Sequence, residues 1–77
     1  MTKTKLEYIL EELKPKDYHK ESKCATLVFE NNIIIFLKDW DEADDLMWHV
    51  FNNKDIVGSG VDNYKTIIKT LKSYLND

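Results

Sequence analysis

Leu6, Ile9, Leu10 and Leu13 recur at the i, i+3, i+4, i+7 spacing that sets one stripe of a helix against a core. Thr4 stands before the stripe with Glu7 three residues on. That pairing is a capping box, in which each side chain takes up a free backbone N–H at the other's position. Pro15 cannot continue the helix. The pattern predicts a helix over about residues 4–14. The segment KDYHKESK that follows, residues 16–23, is polar and reads as a loop.

From Cys24 the pattern changes. CATLVFE is β-branched and aromatic, and IIIFLKDW opens on a run, Ile33 to Leu37, that is apolar on both faces of an extended chain. Asn31 and Asn32 lie between them, and asparagine tolerates the positive φ of a tight hairpin turn. Residues 33–38 are predicted as a central strand, since both of its faces need cover. LMWHVF, NNKD and IVGSG repeat the order apolar, turn, apolar. Residues 46–51 also have a helical reading, with Ala43, Leu46, Met47 and Val50 as its stripe and Asp39 or Asp41 as its N-cap. The strand reading is preferred because Trp, His, Val and Phe together favour extended chain. Asp62 fits the N-cap of a last helix running to about residue 75, with Tyr64, Ile67, Ile68, Leu71 and Leu75 as its apolar stripe.

The expected fold is therefore one small α+β domain: helix, a three- to four-stranded antiparallel meander, helix. Alternation sets Leu46, Trp48 and Val50 on one face of their strand and Met47, His49 and Phe51 on the other. Leu27 and Phe29 alternate in the same way against Cys24, Thr26 and Val28. Two helices can cover one sheet face, so apolar groups on the other are expected to be left for self-association or a partner.

Composition narrows the functional classes. The chain has 77 residues, enough for one domain that buries about 63% of its extended surface. Fourteen acidic residues face 11 basic ones, for a net charge of −3. All the basic residues are Lys. Arg supplies the fork that grips phosphates and guanine edges, so its absence argues against a dedicated nucleic-acid reader. Abundant Lys, Asn and Ile without Arg suit an AT-rich genome, such as that of a low-GC Gram-positive bacterium or its phage. One cysteine, no secretory hydrophobic segment and no run of about 20 apolar residues lead to the expectation of a soluble cytoplasmic protein without membrane association.

The negative charge is crowded. In DWDEADD, residues 39–45, five of seven side chains are carboxylates: Asp39, Asp41, Glu42, Asp44 and Asp45. Two such groups ~6 Å apart in water repel by about 0.7 kcal/mol. A solvated loop that keeps the sheet end from pairing with other chains is the plain explanation. The functional one is a docking surface for a basic protein, steered by charge, with Trp40 as its apolar anchor. Asp39 and Asp41 begin like a calcium-binding loop, but Asp44 stands where that loop needs Gly and Val50 where it needs Glu.

Other candidates are sparse. Cys24, His19 and His49 are the available nucleophile and bases, without C-x-x-C or H-x-x-x-H spacing. No catalytic set, metal site or cofactor is expected. Gly58-Ser59-Gly60 precedes the last helix, where glycines can cradle a phosphate. The motif lacks the rest of a phosphate loop, and the expectation is a turn from strand to helix. Lys65, Lys69 and Lys72 line one side of that helix and read as a solvated face.

The segment VFNNKDIVGSGVDNYKTIIKTLKSYL resembles the second half of a double-stranded-RNA-binding domain in its hairpin, G-x-G and final helix. The resemblance implies an α-β-β-β-α fold and a Lys cluster opening the last helix. Those positions here are Asp62, Asn63 and Tyr64, with Lys65 alone in the first turns.

The reading that joins these features is a small acidic, non-catalytic, protein-binding regulator or inhibitor, of phage or mobile-element origin. It would dock Asp39, Trp40, Asp41, Glu42, Asp44 and Asp45 on a basic surface, with a nucleic-acid-binding enzyme as one candidate target. The alternatives are a homodimeric accessory protein that uses an open sheet face and a weak nucleic-acid module; direct nucleic-acid binding is not expected.

Overall fold

The capping box forms. In the computed structural model, which describes residues 3–39 and 45–76, the Glu7 N–H donates to Thr4 Oγ1 at 3.2 Å and the Thr4 N–H donates to Glu7 Oε1 at 3.4 Å. Helix α1 spans Lys5–Leu13 and buries Leu6, Ile9 and Leu13. Lys14 takes a left-handed conformation (φ 50°) and its N–H donates to the Leu10 carbonyl, closing the helix one residue before Pro15.

Among the described residues five antiparallel strands follow in one sheet, in sequence order: β1 Asp17–Lys20, β2 Cys24–Val28, β3 Ile33–Asp39, β4 Asp45–Asn52 and β5 Asp55–Asn63. Helix α2, Tyr64–Leu75, continues directly from β5. The expected helix, meander, helix order holds. The strand reading of residues 46–51 holds too, within β4.

Three local expectations are corrected. Residues 17–20, read as loop, form the short edge strand β1 against β2. Its four residues are all exposed, so no apolar alternation marked it in the sequence. Backbone pairing with β2 sets it, with Tyr18 opposite Leu27 and Lys20 opposite Ala25. Gly58-Ser59-Gly60 is not a turn but the middle of β5. The glycines are there for lack of a side chain: a Cβ on Gly60 would lie 3.0 Å from Cε2, Cζ2 and Nε1 of Trp48, and one on Gly58 would run into the Tyr74 hydroxyl. Third, the N-cap of α2 is Asn63 and not Asp62; Asn63 Oδ1 accepts from the Thr66 N–H at 2.9 Å. Asp62 is still in the strand, opposite Leu46.

Both hairpin turns that flank β3 and β4 at the same end are built from left-handed pairs. Asn31 and Asn32 have φ of 63° and 64°, and Asn53 and Lys54 have 53° and 74°. Two successive positive φ values make the turn whose twist matches that of the strands it joins. β5 carries one irregularity. Val50 pairs with Gly58 but Phe51 pairs with Ile56, so Val57 is an extra residue, a bulge on an edge strand.

Register then decides the two faces. Ala25 and Leu27 lie beside Leu37 and Ile35, which lie beside Trp48 and Val50. With Leu46 these residues meet Leu6, Ile9, Leu13, Ile67 and Leu71 of the helices in one buried core. Tyr8 of α1 stacks on Tyr64 of α2, centroids 5.5 Å apart, tying the two helices on the covered face. Trp48 is buried, although its indole N–H has no acceptor among the described residues.

Candidate partner-binding surface

The acidic stretch joins β3 to β4, two hydrogen-bonded neighbours. Its two described carboxylates sit differently. Asp39 ends β3 in the register of the helix-covered face, opposite Leu46. Lys5 Nζ, in the first turn of α1, donates to its Oδ1 at 2.8 Å, and both side chains are about three-quarters buried. Its backbone N–H also donates to the Lys23 carbonyl. Asp39 is thus a tie between sheet and helix as well as part of the acidic end. Asp45 opens β4, half-buried, in the register of the uncovered face and opposite Asn63. Trp40, Asp41, Glu42 and Asp44 lie outside the described residues.

One further carboxylate joins this end. Asp62 of β5 lies opposite Leu46 and next to the Asp45–Asn63 pair. Three adjacent strands therefore bring acids to one end of the sheet. A reading that assigns Asp62 to a helix cap misses this; the signal that finds it is the unbroken β5, which carries Asp62 past the glycines to the level of Asp45.

The uncovered face is the second feature. Phe36, His49 and Phe51 form a row of rings across β3 and β4: His49 lies 6.3 Å from Phe51 in a stacked arrangement and 6.4 Å from Phe36. Ile34, Val61 and Ile56 around them are 39%, 40% and 59% exposed. At the turn end Asn32, Ile34, Asn53 and Lys54 line a shallow groove.

The remaining candidates do not assemble into a reactive site. Cys24 Sγ donates to Glu21 Oε2 at 3.5 Å, and His19 Nε2 lies 3.4 Å from Glu21 Oε1 in the same exposed hairpin. Desolvation, followed by the hydrogen bond to Glu21, pushes the Cys24 thiol up, so the group stays protonated at neutral pH. His49 is on β4, amid the aromatic row. Among the described residues no three His, Cys, Asp or Glu side chains are grouped to hold a metal ion. Lys65, Lys69 and Lys72 are exposed, and Lys72 pairs with Glu12 of α1 at 3.2 Å. No described helix is long and apolar enough to cross a membrane.

Comparison with protein families, with curated proteins and with solved structures finds no match for the chain. The double-stranded-RNA-binding resemblance implies three strands between the two helices; among the described residues there are five.

Proposed function

We propose that this chain is a non-catalytic protein-binding domain, a small acidic regulator or inhibitor that docks its acidic sheet end on a basic protein surface. The observation that carries the reading is the gathering of Asp39, Asp45 and Asp62 from three adjacent strands at the end where the acidic stretch leaves and re-enters the sheet. Carboxylates in excess of the Lys5 and Lys38 ammonium groups at that end steer a basic partner and fix its orientation. A nucleic-acid-binding enzyme of a host cell suits such a surface, because its own substrate is a polyanion. A phage or mobile-element origin accords with the composition.

The test is a pull-down from a low-GC bacterial lysate, wild type beside a variant with Asp41→Asn, Glu42→Gln and Asp44→Asn. Asp45 is left intact so that the open sheet face is unchanged. A basic protein held by wild type, lost by the variant and released by moderate salt is the expected result. Equal recovery by both would return the acids to a solubility role.

A further inference from the structure

The uncovered face has its own chemistry, separate from the acidic end. Its central positions are apolar or uncharged: Phe36, His49 and Phe51 in a row, with Ile34, Met47 and Val61 around them. Charge appears at its ends. A basic partner would find no carboxylate at the centre of this face to hold it, and a polyanion would find no lysine there. The complement of a neutral, apolar sheet face is another such face, and the chain supplies one in a second copy.

The dimensions agree. Strands β2 to β5 at about 4.8 Å spacing, with seven residues at about 3.4 Å along β3, give roughly 450 Å² in plan. Side-chain relief raises the accessible area above the plan value, toward the ~600–800 Å² per copy that a specific interface buries. Sheets packed in this way lie about 10 Å apart.

Charge selects the orientation. Asp45 and Lys38 lie at one end of the face, next to the acidic stretch. Lys54, Asn53 and Asn32 lie at the other, around the groove floored by Ile34, with Glu30 in the adjoining turn. A two-fold axis along the strands would set the acidic ends of both copies together. An axis across the strands sets each acidic end over the turn end of the other copy. Asp45 then meets the ammonium and amide donors around the groove, and Lys38 lies toward Glu30.

We propose that this chain is a two-fold dimer closed through the uncovered sheet face, with the axis crossing the strands so that Asp45 of each copy meets Lys54 of the other. This goes beyond the docking reading above, because it uses a different surface. The dimer carries its two acidic stretches at opposite ends.

Sedimentation velocity from low to high micromolar concentration tests the proposal. Wild type is expected to sediment at twice the chain mass, and Ile34→Lys with Val61→Lys as a monomer. Both positions are about two-fifths exposed, so the monomer should keep the far-ultraviolet circular dichroism of the wild type. Asp45→Lys alone and Lys54→Asp alone should each weaken the dimer about tenfold, and the two together should restore it. These exchanges lie at the rim and give a readout even if the double lysine variant fails to fold. A wild type that stays monomeric throughout, or charge exchanges whose effects simply add, would overturn the proposal. The acidic triple variant of the docking test should still dimerise, so the two readings fail separately.

Discussion

The indole of Trp48 lies against Gly60, with its Cε2, Cζ2 and Nε1 atoms each 3.0 Å from where a Cβ would stand. The ring is buried. Gly60→Ala should therefore destabilise the fold by about 1–3 kcal/mol, as overpacking does. Gly58→Ala should cost less, although its Cβ comes nearer to its neighbours, because the nearest, the hydroxyl and Cζ of Tyr74, are the far end of a half-buried side chain. Urea unfolding of the two variants checks the order.

Lys5 and Asp39 are expected to be coupled more strongly than Lys72 and Glu12. The first pair is about three-quarters buried, while the second has side chains 47% and 54% exposed. Double-mutant cycles should give a coupling of about 1 kcal/mol for Lys5–Asp39 and less than about 0.5 kcal/mol for the exposed pair. Salt should erode the second coupling more than the first.

The helix caps separate two neighbouring residues. Asn63→Ala removes the acceptor for the Thr66 N–H and should cost about 1 kcal/mol. Asp62→Asn, on the strand side of the junction, should change stability by less than about 0.5 kcal/mol. Thermal melts of both variants decide which residue begins α2.

Lys54 is the costliest member of the two turns, since a long side chain at φ 74° gains nothing from the left-handed region. Lys54→Gly completes an Asn-Gly pair, the favoured sequence for this turn. At protein concentrations low enough to keep the chain monomeric, it should raise stability by about 0.5 kcal/mol, read as a higher urea midpoint at unchanged slope.

Cys24 should alkylate more slowly in the folded chain than in urea at mildly alkaline pH, because its thiol is held up by desolvation and by Glu21. The sign for stability follows. The unfolded thiol ionises first, so any contribution of Cys24 is fully present below the unfolded value and is lost as pH rises through the folded one. Glu21→Gln should speed the alkylation of the folded protein.

Much of this protein is written in its local sequence. The Leu6–Leu13 stripe and the Thr4–Glu7 box define α1, and the Asn31-Asn32 turn and the alternation through Leu46 to Phe51 define the centre of the sheet. These signals are local because each depends on residues a few positions apart. What depended on distant residues was decided by the tertiary structure. β1 is a strand because β2 offers it a backbone edge, and its four exposed side chains carry no trace of that. Gly58 and Gly60 look like a turn until Trp48 and Tyr74 are seen lying against them. Asp62 looks like a cap until β5 runs on to Asn63, and it then joins Asp39 and Asp45 at one end of the sheet. The sequence by itself determined that two helices would cover one face and that acids would crowd between two strands. Only the packed structure decided which acids share an end, and which rings and aliphatic side chains form the face the helices leave open. Register across five strands is set by pairing, and pairing brings together residues far apart in the chain.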